Sequence, residues 1–336
     1  MRILAKAPVI IRALAASVVI AAAFPADASA QSAADYPNRT VTIVSPFVAG
    51  GMSSLLGRAV GQRLEQRFGK NFIIENRPGG AAIAGALSVA RAAPDGYTLL
   101  IAPSSTLAIN VTLYKSLPYD PVADFVPLAL VARTPEVLVV NEALPVHSLD
   151  DLKLLAKKTP LTFGSAGLGT GQHINGELLK LQLGIDMTHI PYRGIAPALN
   201  DAAGGHISLM FSDIPTATPL ILAGKLRPIG VTSTERLAAL PDVPPLSEIG
   251  LPRFHEAAWF MFVAPAKTPR DIVEKLAGAM RETLREPALR QDLTRLGTVP
   301  AISPSVDELK AFMRDEIVHS AEMMRSIGLA GVERSN

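Results

Sequence analysis

The chain alternates strand-like apolar runs with helical apolar periodicity, and that alternation restricts it to folds in which helices cover a mostly parallel sheet. Val41 to Phe47 is β-branched and apolar; after Gly50 and Gly51, residues Leu55, Leu56, Ala59, Val60, Leu64 and Phe68 recur at helical spacing up to Gly69. Phe72 to Glu75 reads as a second strand, and Ile83, Leu87 and Ala90 mark a second helix. Tyr97 to Ala102 is a third strand after the turn Pro94-Asp95-Gly96. Strands separated by helices pair in parallel with helices on both faces.

The rhythm continues in the second half. Leu128 to Ala132 and then Val137 to Val140 carry the chain toward a second sheet, and Ser148 with Asp151 boxes the start of a helix through Leu152 and Leu155. Leu161 to Gly164 is a strand, Gly167 to Gly171 a loop, and Ile174, Leu178 and Leu181 share one helix face. His189 to Tyr192, Ile207 to Phe211 and Arg227 to Ser233 read as strands, with a helix over Pro197 to Ala203 ended by Gly204-Gly205. Pro241, Pro244, Pro245 and Pro252 precede the apolar run Ala257 to Ala264, a return crossing. Three helices follow: Thr268-Pro269 with Asp271 caps the first, Pro287 opens the second, and Ser305 with Glu308 boxes the last. No block repeats. The expected plan is α/β and two-lobed: residues 31–131 form the first part of lobe one, 132–254 form lobe two, and 255–336 return to complete lobe one around a ligand cleft.

Composition removes other classes. Of 336 residues 49% are apolar and none is Cys, which excludes disorder, disulfide scaffolds, thiolate metal sites and thiol catalysis. Arg2, Lys6 and Arg12 precede a short apolar run, Ala13 to Phe24, and Ala28-Ser29-Ala30 matches a small-x-small cleavage site. Residues 1–30 therefore read as a signal peptide cut after Ala30, directing the protein to the periplasm, and no Cys follows to take a lipid. The leader holds three of the 32 basic groups and one of the 30 acidic groups, so the remainder balances at zero. Nothing in that balance points to nucleic acid.

Two segments carry binding chemistry. Ser45 to Ser54 places Phe47, Gly50, Gly51, Ser53 and Ser54 where a strand ends and a helix starts; the first N–H groups of a helix have no partner within it and lie at the positive end of its dipole, so an anion docks there without a lysine. Phe163 to His173 repeats that construction with Ser165, Ala166, Gly169 and Thr170, and lacks the spacing of a dinucleotide fingerprint, a Walker loop or a nucleophile elbow. Ser104 follows the third strand, either at a ligand-facing position or in a plain turn. Tyr192 and Arg193 close the strand from His189, and Arg193 either pairs with a ligand carboxylate or fixes its own loop. The six histidines show no metal-ligand spacing, and His173 with Glu177 reads as a surface pair. No metal and no cofactor are expected. Trp259 lies in the return crossing, where core packing is its default role.

These residues resemble the Bug family, the extracytoplasmic solute-binding proteins of tripartite tricarboxylate transporters. The matching stretches, in order, are Tyr36-Pro37, Pro46-Phe47 to Gly51, Glu75 to Gly79, Pro94 to Thr98, Leu117 to Asp120, Phe163 to Gly167, Pro191 to Gly194, Pro241 to Pro244 and Ala264-Pro265. The resemblance implies a periplasmic binding protein fold of the type II kind, closing on a small organic acid or amino acid and delivering it to membrane subunits. It implies a ligand carboxylate held by Phe47, Gly50, Gly51 and Ser53 in one lobe and by Ser165, Ala166, Gly169 and Thr170 in the other. The family commonly has Asp where this chain has Ser54, so a charge able to face the cleft is replaced by a hydroxyl and a plain carboxylate ligand is favoured over an amine-bearing one. The expected protein is a monomer and not an enzyme. The rival readings are a ligand sensor feeding a signalling receptor and a secreted hydrolase using Ser165 or Ser54 with a histidine.

Overall fold

The computed structural model describes residues 33–332 apart from Ala81, Arg253, His255 and Glu256. The expected leader, its expected cleavage after Ala30, and His255 lie outside the described residues. In chain order the elements are β1 (Val41–Ser45), α1 (Met52–Phe68), β2 (Phe72–Asn76), α2 (Ile83–Ala90), β3 (Thr98–Pro103), a wide helical turn (Ser105–Ile109) running into α3 (Asn110–Leu113), β4 (Phe125–Thr134), β5 (Glu136–Asn141), α4 (Leu149–Ala156), β6 (Leu161–Ser165) and α5 (Gly171–Leu183). There follow β7 (Met187–Pro191), α6 (Ile195–Ala203), β8 (Leu209–Asp213), α7 (Ile214–Leu222), β9 (Leu226–Val231), β10 (Ala258–Pro265), α8 (Arg270–Thr283), α9 (Pro287–Arg295), β11 (Val299–Pro300) and α10 (Val306–Ser326).

The strands form two sheets, β11-β4-β10-β3-β1-β2 and β7-β6-β8-β5-β9. Apart from the short β11, both follow one plan: second strand, first, third, a strand arriving from the other lobe, then the fourth. The sequence does not repeat, but the topology does. In each sheet the inserted strand, β10 or β5, runs antiparallel to both neighbours, so the expected mostly parallel sheets are mixed. The reason is geometric. The parallel strands point their carboxyl ends at the cleft, and a strand entering from the cleft must run away from it.

Side-chain alternation divides the apolar residues among three cores. Along β5, Val137 and Val139 face the helices of the second sheet, while Leu138 and Val140 join a core shared by both lobes with Val44, Leu100, Phe163 and Trp259. Ile43, Leu56, Leu99, Phe262 and Leu276 fill a third core on the outer face of the first sheet. Strands covered on both faces read as continuous apolar runs, which is how β5 looks in the sequence.

Local signals are met unevenly. Ser148 Oγ accepts from Asp151 N at 3.1 Å, and Ser305 with Glu308 forms a complete capping box. Thr268 is not a cap: its hydroxyl donates to the Pro265 carbonyl at 2.7 Å, and Pro269 precedes α8 with no side-chain bond. Helix α7 was not foreseen, because Pro215, Thr216, Thr218 and Pro219 all lower helix propensity. Pro215 is tolerated in the first turn, where its missing N–H has no partner to lose. The segment after Ser104 is helical rather than a plain turn. Among the described residues no helix is long and apolar enough to cross a membrane.

Candidate ligand-binding site

A cavity of about 190 Å³ lies where the two sheets' carboxyl ends meet. Such crevices are where open α/β sheets bind ligands. Its walls come from the loop after β1, the ends of β3, β6 and β8, and the crossing strands through Thr134, Glu136, Ala258 and Phe260. The starts of α1, α5 and α6 all reach it: Met52 and Ser53, Gly171 and Gln172, Ile195 and Ala196. Three helix N-termini give an anion unpaired N–H donors and positive dipole ends. No Lys, Arg or His lines the cavity among the described residues.

The first-lobe turn is shaped by two features. Gly50 has φ of 88°, open to glycine at little cost, and Asn76 Nδ2 donates both to the Phe47 carbonyl at 2.9 Å and to Ser54 Oγ at 2.7 Å. Phe47, Gly50, Gly51 and Ser53 line the cavity, and Ser53, 2% exposed, has an Oγ with no hydrogen-bond partner among the described residues. Ser54 sits behind that wall. Its hydroxyl lies 3.0 Å from Ser45 Oγ, so a side chain at this position faces the β1–β2 end rather than the cavity. The charge argument drawn from Ser54 therefore does not apply to the cavity.

The second-lobe turn is closed on itself. Ala166 and Thr170 line the cavity; Ser165 and Gly169 do not. Ser165 Oγ donates to the Gly167 carbonyl at 3.0 Å and lies 2.7 Å from His189 Nε2, while Thr170 Oγ1 donates to the Gly167 carbonyl at 2.8 Å. The Gly169 N–H donates to His173 Nδ1 at 3.1 Å. His173 is thus buried rather than part of a surface pair, stacked 4.0 Å from the His189 ring, and Glu177 pairs instead with Lys180 at 3.0 Å. Burial pushes His173 down to about 3 and His189 to about 4, so both are neutral. The Ser165–His189 contact has the length of a nucleophile–base pair, but no carboxylate hydrogen-bonds His189 among the described residues and Ser165 is fully buried off the cavity. A hydrolase would need that third group and access to substrate.

Of the other expected residues, Ser104 lines the cavity. Tyr192 does not: its hydroxyl donates to Asp201 Oδ2 at 2.7 Å. Arg193 is exposed before α6 and lies outside the cavity. Trp259 points away from it, since its neighbours Ala258 and Phe260 face it, and its Nε1–H donates to Glu316 at 2.6 Å. Among the described residues no three His, Cys, Asp or Glu gather as metal ligands.

Two acids in the wall were not anticipated. Glu136 opens β5 and stands directly across from Asp213, the last residue of β8. Glu136 is 1% exposed and accepts from Gln172 Nε2 at 2.6 Å and Asn175 Nδ2 at 2.8 Å. Burial, then repulsion from Asp213, pushes it up to about 8; burial pushes Asp213 to about 6. The signals were present: a carboxyl beginning a wholly apolar run, and another ending a strand just before a helix.

The model of the tripartite tricarboxylate transporter family receptor matches residues 56–329. The chain is 33% identical over 300 residues to BugT of Bordetella pertussis, covering 88% of this chain and 92% of that protein. In structure it is similar to R. palustris Rpa4515 with adipate, at 34% identity and a TM-score of 0.84, over 89% of this chain and 100% of that one. It is also similar to MatC from Rhodopseudomonas palustris with bound malate, at 32% identity and a TM-score of 0.79, over 86% and 99%. Proteins of this kind bind solutes and are not enzymes. The chain belongs to the receptor family of tripartite tricarboxylate transporters, the Bug family of periplasmic solute-binding proteins.

Proposed function

We propose that this protein captures a small carboxylate-bearing metabolite between its lobes and passes it to the membrane subunits of a tripartite tricarboxylate-type transporter. The observation that carries the reading is Ser53 Oγ, buried, without a partner among the described residues, on a residue in the wall of a cavity that three helix N-termini reach. A buried hydroxyl with no partner costs about 1–3 kcal/mol, a cost that a carboxylate oxygen accepting its proton removes. Closure follows because such a ligand touches both lobes at once and so stabilises the closed arrangement over the open one. Phe47, Gly50, Gly51, Ser53 and Ser104 would contribute from the first lobe and Ala166 and Thr170 from the second. The adipate and malate bound by the two similar structures support an organic acid as the ligand class. We further propose export by the leader with cleavage after Ala30, action as a monomer, and a division of lobes at Pro135 and just before Ala258.

The test is calorimetry with a panel of short organic acids, malate and adipate included. At least one should bind, and Ser53→Ala should weaken it about tenfold, the loss of one hydrogen bond to a charged group. Absence of binding across the panel, or full affinity in Ser53→Ala, overturns the reading.

A further inference from the structure

A second cavity, of about 140 Å³, lies on the opposite face of the crossing strands from the ligand cavity. Residues alternate between the two faces of a strand, so Thr134 and Ala258 front the ligand cavity while Arg133 and Trp259, paired across β4 and β10, front the second one. Glu316, His319, Ser320 and Met323 reach it from one face of α10, and Ile174 and Asn175 from one face of α5. Helix α10 packs on β4 of the first lobe and α5 on β6 of the second, so both lobes wall this cavity too. Its polar groups are incompletely matched. Asn175, 2% exposed, gives Nδ2 to Glu136 at 2.8 Å, and its Oδ1 has no hydrogen-bond partner among the described residues. Glu316 accepts from Trp259 Nε1 at 2.6 Å, and the Arg133 guanidinium lies 5.9 Å from the Phe312 ring centroid. Among the described residues neither Glu316 nor Arg133 forms an ion pair, with the other or with any third group. Ile109, Ile174 and Met323 supply the apolar part of the wall.

Opposite charges that line one small cavity without pairing fit a ligand that carries both charges itself. We propose that this cavity is a second binding site, behind the crossing strands, for a small amino acid with an aliphatic side chain. Its carboxylate meets the Arg133 guanidinium, its ammonium meets Glu316 and Asn175 Oδ1, and its side chain lies against Ile109, Ile174 and Met323. An ammonium has three protons to donate, enough for the carboxylate and the unmatched amide oxygen together. None of these groups is assigned to the ligand between the lobes. The two sites are nonetheless joined. The lobes meet across the mouth of the ligand cavity, where a Cβ added to Gly194 would lie 3.3 Å from Val48 Cγ2. A molecule that touches α5 and α10 at the back stabilises the same arrangement, so each site raises the affinity of the other. That coupling rests on the carboxylate-binding reading; the second site does not.

Trp259 is the chain's only tryptophan and lines the second cavity, so its emission reports occupancy there. The test titrates the purified protein with alanine, valine, leucine and methionine, and with the acid and the amine that each becomes on losing its ammonium or its carboxylate. The expected result is a saturable emission change with at least one amino acid, and binding at least about tenfold weaker for both of its truncated forms. Glu316→Gln, which keeps an acceptor for Trp259, and Arg133→Gln should each weaken the amino acid about tenfold, whereas Ser53→Ala should leave it within about twofold. Arg133 is exposed and without an ion pair, so its variant decides the matter if Glu316→Gln does not fold. No saturable change with any of the four, or a change that the folded variants leave intact, overturns the site. Calorimetry of malate and adipate with and without the bound amino acid reads the coupling. A rise in acid affinity of at least about threefold supports it; unchanged affinity overturns the coupling and leaves the site; binding of neither acid counts against the carboxylate reading and the coupling that rests on it.

Discussion

The turn between β1 and α1 leaves Ser53 Oγ unpaired at the cavity, whereas the turn between β6 and α5 ties Ser165 and Thr170 to Gly167 and the Gly169 N–H to His173. Both turns join a strand to a helix through glycines and hydroxyl residues. One leaves a buried hydroxyl without a partner among the described residues; the other is an internally bonded wall, and what the second lobe adds to the cavity is backbone at its helix starts together with Glu136 and Asp213. Similar local sequence thus supports different work, because a hydroxyl's role depends on which acceptors the rest of the fold brings near it.

The contrast can be broken most severely at its glycines. Gly169 has φ of 76° and an added Cβ would collide with Leu113 Cδ2 of α3, whereas Gly50, with φ of 88°, has nothing within 4 Å. Gly169→Ala should cost about 3 kcal/mol, combining left-handed strain with overpacking, and Gly50→Ala about 1 kcal/mol, from strain alone. Urea midpoints of the two variants check this, and equal losses would remove the distinction between a crowded turn and an open one.

The next effect is the pH dependence of the ligand-free protein, which has two limbs of opposite sign. Glu136 and Asp213 are raised in the fold, so the stability they confer is complete below their unfolded values near 4 and is lost as pH rises through about 6 and about 8. His173 and His189 are lowered, so their contribution is complete above about 6.5 and is lost as pH falls toward about 4 and about 3. Each limb should be at least a few kcal/mol. Glu136→Gln should flatten the alkaline limb and His189→Gln the acid limb, read as melting temperature against pH. A variant that flattens the wrong limb would show that the two regions are not separately responsible.

Smaller still is the exchange of roles between the two serines. Ser165→Ala should lower stability by about 1 kcal/mol, the worth of an ordinary buried hydrogen bond. It should leave ligand affinity within about twofold, since Ser165 does not reach the cavity. Ser53→Ala should do the reverse, leaving stability unchanged or slightly raised because an unpaired buried polar group is removed. The smallest effect belongs to Trp259: its ring faces away from the cavity and packs against Phe312 of α10, so ligand should shift its emission only slightly. A large shift would mean that α10 moves when the lobes close.

Much of the fold was legible in the sequence because β1, β5 and β10 are covered on both faces and so remain apolar without interruption. The capping box at Ser305 was legible because it needs only residues three apart. Helix α7 was not, since its prolines and threonines argue against a helix and packing between α6 and β9 outweighs them. In the site, Phe47, Gly50, Gly51 and Ser53 were legible as a helix start. Ser54, Ser165, Tyr192 and Arg193 carry the same chemistry in the sequence, yet their neighbours turn them inward, occupy them, or leave them outside. Glu136 and Asp213 were overlooked because each is unremarkable alone; only the β5–β8 register sets them side by side.

By itself the sequence determined most of the order of strands and helices, the two anion-ready helix starts and the family, since periodicity, capping and turn chemistry act over a few residues. The tertiary structure decided which hydroxyl stays unpaired, which histidines lose their charge, and that two carboxyls 77 positions apart in the chain share one wall. Those properties depend on desolvation and on distances between residues remote in the chain, and neither quantity exists until the sheets are assembled.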